Sequence, residues 1–210
     1  MAIPLLIKTI VVGPIQTNCY LLIDSRSKKC LVIDPGDEAE KIIGEIRKDK
    51  LIPTGIINTH GHYDHIGANS ALKKQFNIPI SIHKLDTDCL VNPKKNLSGF
   101  VGISEKSPPA DKLLEEGDII DFEGNQLKVI HTPGHTKGGI CLIGDGFVFT
   151  GDTLFCEFVG RTDLPDGDEE TLKKSLEKLK KLPSEYKIYP GHDNQCTIGG
   201  ELEHNPYFKS

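Results

Sequence analysis

The segment Thr59-His60-Gly61-His62-Tyr63-Asp64-His65 constrains this chain more than any other. Four metal-competent side chains, His60, His62, Asp64 and His65, lie within six residues. They directly follow a short apolar run, Gly55–Asn58, that reads as a strand. On an extended backbone His60 and His62 point the same way, so one ion can sit between them. Asp64 and His65 reach in a different direction and can serve a second ion a few ångströms away. Gly61 and the preceding strand argue for a loop rather than a helical His-Glu-x-x-His arrangement.

Three later segments each end a predicted strand in a further donor. Thr132-Pro133-Gly134-His135-Thr136 presents His135 from a turn, Gly151-Asp152 follows the run Phe147–Thr150, and Pro190-Gly191-His192 follows Lys187–Tyr189. Alone, a strand-end His or Asp is an ordinary structural residue. Beside the first cluster these three complete a set of seven nitrogen and oxygen donors, enough for two incomplete coordination spheres that share a carboxylate.

The rest of the chain supplies a scaffold. Leu5–Val12, Cys19–Ile23 and Cys30–Asp34 are β-branched or apolar runs closed by turn residues. Glu38–Lys50 carries Ile42, Ile43 and Ile46 at helical spacing, with Asp37 placed to cap it. Ala68–Phe76 reads as a helix and Pro79–His83 as a strand. Residues 92–112 show no periodicity, and a loop of that length in a compact domain reads as a functional flap or as simple disorder. Gln126–Ile130, Gly139–Ile143 and Phe147–Thr150 read as strands, the last two joined by a Gly144-Asp145-Gly146 hairpin turn. Glu169–Leu182 places Leu172, Leu176, Leu179 and Leu182 on one helical stripe. Strand runs followed by helix, twice over, predict sheets packed on each other and covered by helices, in one domain.

Charge narrows the partners. Lys plus Arg number 25 against 30 for Asp plus Glu, a net charge of −5, which gives no global attraction to phosphate backbones or anionic lipids. Neither nucleic acid nor a membrane is expected as a partner, and no run approaches the roughly 18 apolar residues of a membrane span. Met1–Lys8 lacks the basic start and cleavage site of a signal peptide. The cysteines at 19, 30, 89, 141, 156 and 196 form no Cys-x-x-Cys pair and read as reduced packing residues of a cytoplasmic protein.

The motifs THGHYDH (59–65), HTPGHTKGG (131–139), TGDTLF (150–155), GRTDLPDGD (160–168) and YPGH (189–192) together resemble the metallo-β-lactamase-fold hydrolases, specifically the short, single-domain glyoxalase II-like branch. The resemblance spans most of the chain and implies one domain over residues 1–210, an α/β four-layer αββα sandwich of two mixed sheets flanked by helices. It implies two divalent metal ions, zinc by expectation with iron or manganese as alternatives. By the same resemblance His60, His62 and His135 bind the first, Asp64, His65 and His192 the second, and Asp152 bridges them.

Two such ions lower the pKa of a shared water to about 7, giving a hydroxide that can attack the carbonyl of a small-molecule thioester. Asp64, bound through one oxygen, is also the candidate to orient that nucleophile or accept its proton. Tyr63 and Arg161 are candidate substrate contacts, and Arg161 reads first as a pin for its own loop through Asp163, second as a bidentate clamp on a substrate carboxylate. Lys94 and Lys95 read either as attractors of an anionic substrate or as a solvated pair. Asp34 reads either as an acceptor for a ligand histidine or as a turn residue. His131, His83 and His204 read as hydrogen-bonding, structural or surface residues. The chain ends 18 residues after His192, without the helical region that supplies much of the glutathione surface in full-length glyoxalase II. Thioester hydrolysis is therefore a firmer expectation than the identity of the thiol. Alternatives on the same fold are a mononuclear Fe(II) persulfide dioxygenase using His60, His135 and Asp152, and a lactonase, phosphodiesterase or nuclease.

Overall fold

The computed structural model describes residues 5–208. Met1–Pro4, the start of the segment read above for a leader signature, lies outside them. Two six-stranded sheets carry the chain. The first runs β1 (Leu5–Val12), β2 (Thr17–Asp24), β3 (Lys29–Ile33), β4 (Ile52–Ile57), β5 (Ile80–His83) and β6 (Lys112–Leu114) in spatial order. The second is ordered β12-β11-β10-β9-β8-β7, from β7 (Ile119–Phe122), β8 (Asn125–His131), β9 (Ile140–Gly144), β10 (Phe147–Gly151), β11 (Lys187–Pro190) and β12 (Cys196–Thr197). The helices are α1 (Ala39–Lys48), α2 (Tyr63–Ile66), α3 (Asn69–Phe76), α4 (Thr87–Val91), α5 (Glu169–Leu179) and α6 (Ile198–His204).

The layers follow from side-chain alternation. All eight residues of β2 are buried, so both of its faces are covered. Cys19, Leu21 and Ile23 point outward and pack with Ile42 and Ile46 of α1 and Leu72 of α3. Tyr20 and Leu22 point inward and meet Leu127, Val129, Leu142 and Phe149 of the second sheet. On that sheet's far face Cys141, Val148 and Ile188 pack against Leu172, Leu176 and Leu179 of α5 and Ile198 of α6. Three apolar layers between four structural ones make the αββα sandwich expected above.

Strand direction positions the site. β3, β4, β5 and β6 are parallel neighbours, and β10 is parallel to β11. Their carboxyl ends therefore collect along an edge, where open α/β sheets place ligands. Ile33 pairs with Ile57, which sets Asp34 beside Asn58 and Thr59. Gly151 pairs with Pro190 across an irregularity after Phe149, which brings Asp152 beside Gly191 and His192.

Several expectations are corrected. Asp37 does not cap α1: Glu38 holds the cap position in the left-handed region, and the Asp37 carboxylate instead accepts the adjacent Glu38 N–H at 2.6 Å. β4 starts at Ile52, passing through Pro53 where its pairing with β3 shifts register. The helix expected over Glu169–Leu182 ends at Leu179. The 92–112 flap holds a 3₁₀ turn at Ser98–Val101 and is tied down by the buried Asn96. The Asn96 Nδ2 group donates to the carbonyls of Cys89 and Glu105 at 3.0 Å each, and its own carbonyl accepts Tyr63 N–H at 2.9 Å.

Candidate metal centre

Each donor is aimed by a neighbour. Asp34, buried and at φ 51°, accepts Thr59 N–H (2.7 Å) and Thr59 Oγ1–H (2.6 Å), fixing the first residue of the histidine loop. Its Oδ2 also stands 3.1 Å from Nδ1 of His65, a close approach without a hydrogen bond. The Thr59 hydroxyl lies 3.3 Å from His60 Nδ1. His135 Nδ1 donates to the Arg161 carbonyl (2.8 Å) and His192 Nδ1 to the Ile15 carbonyl (3.1 Å). Such outer partners fix the tautomer and leave Nε2 free as a lone-pair donor.

The seven donor side chains converge. His62 Nδ1 lies 3.1 Å from His60 Nε2 and 2.9 Å from His135 Nε2. Ligands held at 2.0–2.1 Å around a tetrahedral ion lie about 3.3 Å apart, close to these spacings. His65 Nε2 lies 3.2 Å from Asp64 Oδ2 and 3.3 Å from Asp152 Oδ1, while His192 Nε2 is 3.3 Å from Asp64 Oδ2. Asp152 Oδ2 faces both groups, 3.5 Å from His135 Nε2 and 3.6 Å from His192 Nε2.

Both ring nitrogens of His65 and Oδ1 of Asp152 are buried without a hydrogen bond, and His65 Nε2 and Asp152 Oδ1 face each other at 3.3 Å. Buried polar groups are left unmatched at a cost of about 1–3 kcal/mol each, so the pair points to a cation. Protonation states agree. Burial and neighbouring histidines, His65 foremost, push His60 well below the ordinary range, and burial and His135 bring His62 down to about 3. Asp64 and Asp152 resist burial and stay strongly acidic because His65 lies against them. His65 and His192 move the other way: against burial, the Asp64 and Asp152 carboxylates beside them raise both, so a divalent cation bound here would take the place of their protons among ionised carboxylates.

Residues that carried no signal in the sequence hold this geometry. Asp86, buried beside β5, accepts Gly61 N–H (3.0 Å) and Thr136 Oγ1–H (2.8 Å) on one oxygen and Gly138 N–H (2.6 Å) on the other. It thereby ties the loop bearing His60 and His62 to the loop bearing His135. Burial raises its pKa against the pull of those hydrogen bonds. Asn18 Nδ2 donates to the carbonyls of Pro190 (3.0 Å) and Asp193 (2.9 Å), and Tyr20 Oη to that of Pro190 (2.6 Å), so β2 holds the His192 turn. Thr17 Oγ1 donates to Asp64 Oδ2 at 3.0 Å. A Cβ on Gly191 would sit 2.1 Å from Asp152 Oδ1, so that close approach needs glycine.

A cleft of about 700 Å³ opens over the donors, lined by His62, Tyr63, Asp64, His135, Asp152 and His192 on the polar side. Arg161 lines it, with Nε and Nη2 each 2.7 Å from a different Asp163 oxygen, the loop-pinning use foreseen for it. Of the two readings of Lys94 and Lys95, the structure fits the solvated one, for both are exposed and neither lines the cleft. The flap turns them outward, and Lys95 pairs with Asp88 at 2.5 Å. His83 and His131 stack on each other, ring centroids 4.1 Å apart. Cys156 and Cys196 group with Glu201 away from this cluster, and all six cysteines are free of disulfides. Among the described residues no helix is long and apolar enough to cross a membrane.

Comparison with known proteins places the fold in a family. The model of the metallo-β-lactamase superfamily matches residues 12–192. The chain is 37% identical over 213 residues to a Haemophilus influenzae protein named hydroxyacylglutathione hydrolase GloC, covering 97% of this chain and 98% of that one. The crystal structure of BLEG-1, a B3 metallo-β-lactamase, superposes with a TM-score of 0.94 at 36% identity, covering 98% of this chain and 100% of the other. TTHA1623 in a di-iron-bound form superposes with a TM-score of 0.85 at 36% identity, covering 95% and 99%.

Proposed function

The chain belongs to the metallo-β-lactamase superfamily, and from that premise we propose that it is a binuclear hydrolase of thioesters. His60, His62 and His135 would hold one divalent ion, Asp64, His65 and His192 the other, with Asp152 between them. The unpartnered His65 Nε2 and Asp152 Oδ1 carry this reading, because a cation between the two clusters satisfies both atoms. When bound, the two ions supply Lewis acidity toward a carbonyl and a water acidic enough to be a nucleophile near pH 7.

The chain's own residues do the rest. Asp64 offers the cleft a carboxylate oxygen already held by Thr17 Oγ1 and His192, a fixed acceptor for a proton leaving the attacking water. The Arg161 and Ile15 carbonyls hold His135 and His192 in orientation and Asp34 flanks His65, so little reorganisation is needed at the moment of reaction. The described chain needs no serine or cysteine nucleophile for this chemistry. Support for a thioester substrate comes from the likeness to the protein named hydroxyacylglutathione hydrolase. Metal choice stays open between zinc and iron, the latter raised by the di-iron relative. The test is a panel of thioesters offered to the protein reconstituted with zinc or iron. Turnover that follows metal content supports the reading, and none with any thioester overturns it.

A further inference from the structure

The rest of the cleft's lining is largely apolar. Ile15, Leu97, Phe100, Val101, Phe155 and Leu164 form most of it. Phe100 is 72% exposed and Val101 56% exposed. Large apolar side chains clustered in the open beside a polar site mark a binding surface rather than leftover core. The backbone beneath them is strained: Leu97 sits at φ 70°, a region that bulky residues avoid. The segment is nonetheless fixed, since Ser98 N–H donates to Asn96 Oδ1 (3.0 Å), Glu105 N–H to Ser98 Oγ (3.1 Å), and Gly99 N–H to the Pro93 carbonyl (2.8 Å). Strain kept in a well-tied turn holds Leu97, Phe100 and Val101 over the donors.

Positive charge is scarce at the same place. Arg161 is the only Lys or Arg lining the cleft among the described residues, and its fork is closed on Asp163. Lys95 and Lys137 lie outside the cleft lining, each against an exposed carboxylate, Asp88 and Asp166. A thiol bearing several carboxylates would lose hydration here without gaining a bidentate partner.

We propose, resting on the thioester-hydrolase reading, that this wall is a subsite for apolar acyl groups and that the enzyme's substrates are apolar acyl thioesters, with recognition that ignores charge on the thiol. Full burial of a methylene strengthens binding about fourfold, so kcat/KM should climb with acyl length until the wall is covered.

The test uses the metal-loaded full chain and two substrate series. The first is acetyl, butyryl, hexanoyl and octanoyl thioesters of uncharged N-acetylcysteamine. The second is one lactoyl group carried on N-acetylcysteamine or on glutathione. The expected results are a rise of about two- to fourfold per methylene, a smaller rise in Phe100→Ser, and lactoyl thioesters that differ by less than about threefold. Phe100 is mostly exposed, so its replacement leaves the fold intact. A flat acyl series, or a glutathione thioester preferred tenfold or more, overturns the subsite while leaving the hydrolase standing. No turnover of any thioester takes down both.

Discussion

Replacing Asp86 with alanine tests the claim that the metal loops are held by a buried carboxylate rather than by the donors alone. The substitution strands three buried donors, Gly61 N–H, Thr136 Oγ1–H and Gly138 N–H. Each stranded donor costs about 1–3 kcal/mol. Removing the carboxylate also recovers its own burial penalty, visible in its raised pKa, and water entering the vacated space can serve part of the set. A net loss of about 3 kcal/mol follows, which lowers the melting temperature of a chain this size by about 6–12 °C. Because Asp86 joins the His60–His62 loop to the His135 loop, metal affinity should fall about 10- to 100-fold as well. Differential scanning calorimetry of the metal-free protein reads the first effect, and competition with a chromophoric chelator reads the second. Asp86→Asn keeps one acceptor oxygen and should fall between the wild type and alanine on both scales. An alanine variant that melts within about 1 °C of the wild type and binds metal equally well would refute the reasoning.

Further outcomes follow from the same geometry. Asp152→Ala removes the carboxylate shared by both donor clusters and should lose bound metal and nearly all turnover, whereas His83→Gln should keep both, as elemental analysis and a thioester assay will show. Metal bound only by the folded chain at a thousandfold excess over Kd stabilises it by about 4 kcal/mol, so chelation should lower the melting temperature by about 8–16 °C. Burial, with help from His131 and Lys84, lowers the His83 pKa to about 4, so the unfolded chain takes up this proton first. Stability contributed by the neutral ring is present above about pH 6.5 and is lost as pH falls through about 4; urea titrations across that window should show a shallower slope for His83→Gln. Gly191→Ala should weaken metal binding at the Asp64–His65–His192 cluster, because its methyl would lie 2.1 Å from Asp152 Oδ1 and 2.8 Å from His65 Cε1; the readout is metal stoichiometry.

What could be read from the chain depended on whether the signal was local. The donors were legible because His60, His62, Asp64 and His65 sit in one short loop, and because His135, Asp152 and His192 each follow an apolar strand run. β2 and α5 were legible because an unbroken apolar run and helical periodicity are properties of consecutive residues. The short edge strands β6 and β7 were not: they leave Leu113 and Ile119 more than half exposed, so neither alternates clearly. α6 was hidden by Gly199 and Gly200, weak helix formers that Thr197 caps by accepting Gly200 N–H. Asp86, Asn18, Tyr20 and Asn96 were missed for a different reason. Each acts through hydrogen bonds to loops that only the fold brings near, and a single Asp or Asn carries no motif of its own. An Asp three residues past the end of a strand was the one weak pointer to Asp86.

The central claim is that seven donors hold two ions that work together on a thioester. Metal content per chain measured on the same samples as thioester turnover tests it most directly. The account predicts two divalent ions per chain, with activity that disappears on chelation and returns as the second equivalent is restored. One iron per chain, with oxygen uptake on glutathione persulfide and no thioester hydrolysis, would contradict it.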